Sequence, residues 1–220
     1  MHLLFDLDGT ISDPFSGITK SIQYALAEMG REAPPAENLR WCIGPPLKEI
    51  FAELLGPEAH RADEAVAKYR ERFGAIGLFE NNLYPGMEAV LNQLCREGCT
   101  LGLATSKPTV FAARIIEYFG LKKYFRSIDG SELDGTRTDK TDLIAYILKR
   151  DGIAPEAVIM IGDRKHDIIG ARKNRVAGCG VLWGYGSLDE LKAAGARVCV
   201  STPAELPSNI KTILSAAALL

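Results

Sequence analysis

The sequence predicts an α/β protein, in which a parallel sheet carries helices on both faces and a separate helical domain is inserted after the first strand. Beyond residue 80, segments with helical spacing alternate with short runs rich in Val, Ile, Leu and Cys, a pattern typical of βα units around a parallel sheet. Between residues 14 and 80 the apolar positions follow helical spacing alone. Before them, an apolar run ends in two acids.

The first element is predicted to be a strand, because the apolar run His2-Leu3-Leu4-Phe5 leads directly into Asp6-Leu7-Asp8-Gly9-Thr10. Helical spacing then recurs three times. The apolar positions that show it are Ile18, Ile22, Ala25, Leu26 and Met29, then Leu47, Ile50, Phe51, Leu54 and Leu55, then Ala62, Ala65, Val66, Tyr69 and Phe73. Turn residues flank this stretch, so we predict a core of residues 1–13 and 81–220 and an insert of residues 14–80.

The remainder of the chain is predicted to alternate between helix and strand, with Gly and Pro residues between the elements. The predicted helices cover residues 87–97, 109–119, 140–150, 167–174 and 188–194. The predicted strands cover residues 100–105, 125–128, 157–162, 180–183 and 197–200.

The composition is that of an ordinary globular protein, with 220 residues, 47% hydrophobic and 25% charged. A net charge of −2 does not favour binding to nucleic acid or to an anionic membrane. No apolar run approaches the ~20 residues of a membrane span, and no signal-type stretch opens the sequence. We therefore expect a cytoplasmic protein with neither a nucleic acid polymer nor a membrane as partner. The five cysteines include no CxxC pair and are expected to be reduced thiols.

Asp6 and Asp8 lie two residues apart at the end of the first predicted strand. Residues i and i+2 of a strand point the same way, so both carboxylates start on one face at the edge where open α/β sheets bind ligands. Packing gives no reason for two acids at this place. A nucleophilic carboxylate beside a proton-transferring carboxylate does, together with a cation that tolerates both charges.

Three further polar features follow the later strands. Thr105-Ser106-Lys107-Pro108 offers a hydroxyl and loop amides that suit an anionic oxygen, and Lys140 opens a helix after a polar stretch. Two more acids, Asp163 and Asp167, follow an apolar strand. Each feature alone has an ordinary explanation as a turn, a helix cap or a solvated lysine. Their joint placement at strand ends favours a functional site.

With these motifs the chain resembles the haloacid dehalogenase-like hydrolases, in the branch with a helical cap after the first motif. Asp6-Leu7-Asp8-Gly9-Thr10 is similar to the first motif of that family, Thr105 to the second, Lys140 to the third, and Gly162-Asp163 with Asp167 to the fourth. The resemblance covers essentially the whole chain and implies a Rossmann-like core capped by residues 14–80. Ile43-Gly44-Pro45-Pro46-Leu47 is similar to the cap loop of phosphoglycolate phosphatase-like and 5′-nucleotidase-like members.

The resemblance implies a Mg²⁺-dependent phosphomonoester hydrolase that acts on a small phosphorylated metabolite, either phosphoglycolate-like or a nucleoside monophosphate. In this interpretation Asp6 forms an aspartyl-phosphate, while Asp8 protonates the leaving group and then deprotonates water. Thr105 and Lys140 bind phosphoryl oxygens.

The resemblance also implies a metal site and a set of substrate contacts. The metal site comprises Asp6, Asp8 through its main-chain carbonyl, Asp163, and Asp167 next to a metal-bound water. The implied substrate contacts are Gly9, Thr10 and Ser106 in the core and Gly44 and Lys48 in the cap.

Alternatives stay open at this point. A phosphosugar mutase similar to β-phosphoglucomutase uses the same aspartyl-phosphate, and a pyrophosphatase is another hydrolase variant. A non-catalytic regulatory module is disfavoured, because a degenerate binder would be expected to lose at least one of the motif residues, and all are present. The sequence is compatible with either a monomer or a homodimer.

Overall fold

The computed structural model describes residues 1–217. The chain forms two compact units. One is Asp13–Asn82, called the helical insert below, and the other joins Met1–Ser12 to the chain from Leu83 onward and is called the core unit. The sequence predicts limits of 14 and 80 for the insert, which differ from this division by one residue and two residues.

The described residues form eight strands and nine α-helices, connected in several places by short 3₁₀ turns. The strands are β1 (His2–Phe5), β2 (Ser12–Asp13), β3 (Asn82–Leu83), β4 (Thr100–Pro108), β5 (Phe125–Ser131), β6 (Val158–Gly162), β7 (Ala177–Val181) and β8 (Val198–Val200). The helices are α1 (Phe15–Glu28), α2 (Leu47–Leu55), α3 (Ala62–Ala75), α4 (Met87–Arg96), α5 (Thr109–Tyr118), α6 (Lys140–Asp151), α7 (Lys165–Lys173), α8 (Leu188–Ala194) and α9 (Leu206–Ala217). Among the helices of residues 1–217, none is long and apolar enough to cross a membrane.

The helical insert contains α1, α2 and α3, at the three places where the sequence shows helical spacing. Their apolar sides bury Ile22, Phe51 and Phe73. Tyr69 connects two of these side chains, with its ring centroid 6.2 Å from Phe51 and 5.2 Å from Phe73. These buried side chains give the insert a packed core of its own. Each such aromatic pair adds about 0.5–1.5 kcal/mol beyond its burial.

Six parallel strands form the sheet of the core unit, in the order β5-β4-β1-β6-β7-β8. The strand β1 lies near the centre, with His2 opposite Thr100 of β4 and Val158 of β6. All five residues of β6 are buried, as expected for a parallel strand that is covered on both faces. The predicted Rossmann-like α/β core is confirmed.

One strand is longer than the sequence predicts. The predicted strand 100–105 continues to Pro108, because Pro108 still pairs with Ser131 of β5 after a register shift. A Cβ atom at Gly130 would lie 2.3 Å from the carbonyl oxygen of Lys107. The glycine therefore allows the two strands to approach closely beyond the predicted strand end.

The sequence places the strand β7 too far along the chain and predicts no element where α9 occurs. The strand β7 covers Ala177–Val181 instead of residues 180–183. Gly178 belongs to this strand instead of the connection before it, and a Cβ atom there would lie 3.1 Å from Ile168 of α7. No element is predicted after residue 200, where α9 occurs. Pro207 is the second residue of α9, a position at which the missing N–H group costs no helical hydrogen bond.

Candidate active site

Three carboxylates from three different segments meet at the carboxyl edge of the sheet. Asp6 follows β1, Asp163 follows β6, and Asp167 lies in the first turn of α7. All three residues are buried, and one oxygen of each lies within 4.8 Å of the other two. The Asp6 N–H donates to the Ile161 carbonyl at 2.9 Å, so β1 and β6 stay in register up to this cluster. The structure therefore brings together the acids that the sequence places after separate strands.

Lys140, the first residue of α6, places a buried ammonium group among these acids. Its Nζ lies 2.8 Å from Asp6 Oδ1, 2.6 Å from Asp167 Oδ1 and 2.7 Å from the Ala104 carbonyl oxygen. Each of the three N–H donors thus has an acceptor within reach. Burial disfavours the ammonium form, but the charges of Asp167 and Asp6 outweigh it, and the pKa of Lys140 lies above its ordinary value.

Asp163 is fixed through both of its oxygens. The Thr10 hydroxyl donates to Oδ1 at 3.3 Å, and the Tyr185 N–H donates to Oδ2 at 2.8 Å. Gly9 has a φ of +80°, and a Cβ atom there would lie 2.2 Å from Asp163 Oδ2, so only glycine fits beside this carboxylate. Burial, together with the charges of Asp167 and Asp6, raises the pKa of Asp163 well above its ordinary value.

Asp167 uses both of its oxygens within the protein. Oδ1 pairs with Lys140, and Oδ2 accepts a hydrogen bond from the Arg164 N–H at 3.1 Å. Burial raises the pKa of Asp167 to about 6, although the ammonium group of Lys140 acts in the opposite direction. The geometry suits Asp167 to the positioning of Lys140.

Asp8 lies apart from the three-carboxylate cluster and has a lysine of its own. Its Oδ2 lies 2.9 Å from the Nζ of Lys107, and the side chains of the two residues are 14% and 6% exposed. Within residues 1–217, the buried Oδ1 of Asp8 has no hydrogen-bond partner. Burial raises the pKa of Asp8, while the Lys107 ammonium group opposes that rise.

The end of β4 is rigid around the second motif. Thr105 is buried, and its hydroxyl oxygen accepts a hydrogen bond from the Lys107 N–H at 3.2 Å. The carbonyl of Ser106 accepts a hydrogen bond from the Ser131 hydroxyl at 2.9 Å. Strand β5 therefore holds the segment that carries Thr105, Ser106 and Lys107.

The residues at this edge fit a divalent cation. When all are ionised, the four acids Asp6, Asp8, Asp163 and Asp167 exceed the two lysines Lys107 and Lys140 by two negative charges. Burying such an excess is costly unless a cation compensates it. Carboxylate oxygens are ligands that Mg²⁺ prefers, and Asp6, Asp163 and Asp167 each offer one to the cluster.

The predicted substrate contacts lie in different settings. The Gly9 N–H donates to the Ser12 carbonyl and the Thr10 N–H donates to the Leu7 carbonyl, so both amides are used inside the first-motif loop. Gly44 and Lys48 belong to the helical insert. The ammonium group of Lys48 is well exposed and lies 2.8 Å from Asp63. Gly9, Thr10, Ser106, Gly44 and Lys48 stay predictions as substrate contacts.

Sequence reasoning missed two contributions to the site. Lys107 belongs to the polar segment Thr105-Ser106-Lys107-Pro108 at the end of β4, yet the sequence does not predict its pairing with Asp8. The segment after β7 supplies the Tyr185 N–H, and a Cβ atom at Gly184 would lie 2.4 Å from Asp163 Cβ. Two glycines that flank Tyr185 after a predicted strand are a signal that could have indicated this close approach.

A family model described as haloacid dehalogenase-like hydrolase matches residues 3–181, which is most of the chain. The matched stretch contains the helical insert, the four acids and both buried lysines. The match therefore covers every acid and lysine of the site.

Individual relatives agree with this match. A 5′-nucleotidase of Pseudomonas aeruginosa is 50% identical over 192 residues, which make up 87% of this chain and 87% of that protein. The tyrosine-protein kinase PtkA of Mycobacterium tuberculosis is 37% identical over 188 residues, which make up 85% of this chain and 64% of that protein. The crystal structure of a predicted phosphatase from Clostridium acetobutylicum has a TM-score of 0.91 at 44% identity, covering 96% of this chain and 98% of that chain.

Proposed function

The chain belongs to the haloacid dehalogenase-like hydrolase family and is a phosphatase, and from this premise we propose that it is a Mg²⁺-dependent phosphomonoester hydrolase that forms an aspartyl-phosphate on Asp6. The observation that carries the proposal is the position of Asp6 at the end of a central strand. Its carboxylate lies 2.8 Å from the Lys140 ammonium group and within 4.8 Å of Asp163. The proposed nucleophile Asp6, the ammonium group of Lys140 and the proposed metal ligand Asp163 thus lie together in one buried site.

The proposed reaction has two steps. In the first, a carboxylate oxygen of Asp6 forms a bond to phosphorus while the bond from phosphorus to the ester oxygen breaks, and Asp8 gives a proton to that leaving oxygen. In the second, Asp8 takes a proton from water as the water oxygen bonds to phosphorus and the bond to Asp6 breaks. Inorganic phosphate leaves, and both acids return to their starting state.

The carboxylates of Asp6 and Asp163 and the main-chain carbonyl of Asp8 would hold Mg²⁺. When bound, the ion offsets the repulsion between these acids and the phosphate dianion. Two unit like charges 4 Å apart repel by roughly 4 kcal/mol at an effective dielectric constant of about 20. Asp167 supports this arrangement through Lys140, whose ammonium group lies 2.6 Å from Asp167 Oδ1.

Thr105 is the proposed hydrogen-bond donor to a phosphoryl oxygen, and Lys140 is proposed to bind the phosphoryl group through its charge, because its three donors already have acceptors in the protein. Because Lys140 is held by Asp6, Asp167 and the Ala104 carbonyl, its charge is fixed before substrate arrives and needs no rearrangement in the transition state. Thr105 and the segment after it stand on a strand end that β5 holds in place.

The proposed substrate is a small phosphorylated metabolite, and a nucleoside 5′-monophosphate is the first choice. The 50% identical relative is named 5′-nucleotidase, while phosphoglycolate is the other substrate implied by the sequence resemblance. The net charge of −2 does not favour a nucleic acid polymer or an anionic membrane. Gly44 and Lys48 are the proposed contacts from the helical insert.

Phosphoryl transfer to an acceptor other than water is the second candidate function. It is favoured by the relative named tyrosine-protein kinase PtkA, and a phosphosugar mutase belongs to the same class. Such an enzyme would use the same Asp6 chemistry but would pass the phosphoryl group to a hydroxyl group of the acceptor.

The test is release of inorganic phosphate by the full chain with Mg²⁺. The panel contains nucleoside 5′-monophosphates, phosphoglycolate, sugar phosphates, pyrophosphate and p-nitrophenyl phosphate. We expect turnover that EDTA abolishes and Mg²⁺ restores, and an Asp6→Asn loss on the order of a thousandfold or more. Metal-independent turnover, or an active Asp6→Asn variant, would contradict the proposal. A phosphorylated or isomerised product without inorganic phosphate would favour the transferase.

A further inference from the structure

We propose that Lys107 is a positioning residue for Asp8, which holds one carboxylate oxygen so that the other carries the proton to the leaving group. This inference rests on the proposed function, because it assigns a role within the step in which Asp8 acts as the acid. It concerns a side chain that neither the motifs nor the comparisons assign.

Lys107 is a buried lysine. Lysine is rarely buried without a partner, and the side chain of Lys107 is only 6% exposed. Its Nζ lies 2.9 Å from Asp8 Oδ2. A buried pair of this kind is held in a defined geometry, because separating the two charges would leave each in a poorly solvated place.

The backbone at Lys107 is held by hydrogen bonds and close packing. Its N–H donates to the Thr105 hydroxyl oxygen, and the Ser131 hydroxyl donates to the preceding carbonyl, that of Ser106. Gly130 lies directly against the Lys107 carbonyl, where a Cβ atom would come within 2.3 Å. The lysine is thus anchored on the sheet and reaches Asp8 from a fixed base.

The two carboxylate oxygens of Asp8 differ in their contacts. Oδ2 is paired with Lys107, whereas Oδ1 is buried and has no hydrogen-bond partner within residues 1–217. A carboxylate with one committed oxygen has a single oxygen left for the proton. Asp8 Oδ1 is therefore the atom that gives its proton to the ester oxygen as the phosphorus–oxygen bond breaks and the bond from Asp6 to phosphorus forms.

The two buried lysines of the site then have separate tasks. Lys140 meets Asp6, Asp167 and the Ala104 carbonyl with its three donors. Lys107 meets Asp8, and its charge stays beside the carboxylate that remains after the proton has left. Loss of Lys107 should therefore affect the proton transfer and leave the nucleophile in place.

The experiment compares two esters that differ in their need for an acid. The alkoxide of a nucleoside 5′-monophosphate needs a proton on leaving, whereas p-nitrophenolate leaves without one. We expect Lys107→Met to lower kcat/KM about 10- to 100-fold for the nucleotide and less than about threefold for p-nitrophenyl phosphate. Asp8→Asn should show the same selectivity with a larger loss. Lys123→Met is the matched control, because Lys123 forms an exposed ion pair with Glu88 in the same unit.

A double variant completes the test and covers the case in which Lys107→Met does not fold. Asp8→Asn/Lys107→Met removes both charges of the buried pair. We expect its kcat/KM to equal that of Asp8→Asn for both esters. A further loss above about threefold would show that Lys107 acts independently of Asp8.

The remaining outcomes are distinguishable. An equal loss on both esters, or a rise in KM with unchanged kcat, would overturn the inference and make Lys107 a structural or substrate-binding residue. If the wild-type chain releases no phosphate, or Asp8→Asn affects both esters equally, the proposed function has failed instead.

Discussion

Asp167 Oδ1 lies 2.6 Å from Lys140 Nζ, and both side chains are almost completely withdrawn from solvent. The other oxygen of Asp167 accepts a hydrogen bond from the Arg164 N–H at the start of α7. The helices α6 and α7 also approach closely here. A Cβ atom at Gly170 of α7 would lie 2.9 Å from the carbonyl carbon of Lys140, the first residue of α6. The pair therefore fixes where the ammonium group of Lys140 meets Asp6.

Replacing Asp167 by asparagine should lower activity without removing the nucleophile. Asparagine has one acceptor oxygen, so it cannot serve both Lys140 and the Arg164 N–H. We expect kcat/KM to fall about 10- to 100-fold, the usual cost of losing a supporting group behind a ligand. The measurement is phosphate release at saturating Mg²⁺. Asp151→Asn is the control, because Asp151 pairs with Arg150 at the surface, and unchanged activity in Asp167→Asn would refute the supporting role.

Replacing Asp163 by asparagine should stabilise the metal-free protein while removing its response to Mg²⁺. Asp163 is buried close to Asp6 and Asp167, and burial and their charges raise its pKa. A neutral side chain of the same shape relieves this repulsion and still accepts the hydrogen bond from the Tyr185 N–H. We expect a gain of about 1 kcal/mol, which corresponds to roughly 2–4 °C in Tm for a chain of this size.

Thermal unfolding of wild type and Asp163→Asn, each with EDTA and with Mg²⁺, checks this prediction. Wild type should gain stability from Mg²⁺, because a ligand that binds the folded state alone raises Tm. Metal-free Asp163→Asn should have a higher Tm than metal-free wild type, and Mg²⁺ should not raise the Tm of the variant further. A metal-free variant less stable than wild type would mean that the hydrogen bonds of Asp163 outweigh its repulsion.

Much of the fold and the acids of the site follow from local sequence patterns. The family, the α/β core and the phosphatase activity expected from the sequence are confirmed. The acids were predictable because parallel strands present their carboxyl ends at one edge, so Asp6 and Asp163 could be placed together without any knowledge of the strand order.

The supporting contacts could not be predicted, because they depend on distant pairings. Lys107 reaches Asp8 from a strand that is extended by pairing with β5, and this register has no local signal. Likewise, the Tyr185 N–H meets Asp163 across 22 residues, in a segment where Gly184 was needed for close approach. Local patterns indicate which element a residue occupies, whereas these contacts depend on how elements far apart in sequence pack.

Glu80 should make the stability of the helical insert pH-dependent. Its oxygens lie 2.8 Å from Arg72 and 3.0 Å from Lys20, and the hydrogen bond from Arg72 contributes most to lowering the pKa of Glu80 below its ordinary 4.5. Because the pKa of Glu80 is lower in the folded than in the unfolded state, its charge stabilises the folded state at pH values above the unfolded-state pKa. This contribution is lost as the pH falls through the folded-state pKa. Glu80→Gln should therefore cost about 1 kcal/mol near neutral pH and almost nothing at strongly acidic pH.

Calorimetric unfolding of wild type and Glu80→Gln, measured from neutral to strongly acidic pH, tests the expectation. Glu53→Gln serves as the control, because Glu53 is an exposed residue of α2. A Tm difference that stays constant from neutral to acidic pH would show that the charge of Glu80 is not the source of stability.

Cys42 and Cys179 should be protected from thiol reagents until the protein unfolds. All five cysteines are unpaired, but burial raises the pKa of both Cys42 and Cys179 to about 12. The thiolate is the reactive form, so low access and a high pKa act in the same direction. We expect five reactive thiols in concentrated guanidinium chloride and at most three in the native protein at mildly alkaline pH, as measured with Ellman's reagent. Cys42→Ala and Cys179→Ala should each remove one slow thiol, one in each unit, without changing the rapid amplitude, whereas rapid labelling of all five would mean that the native cores open readily.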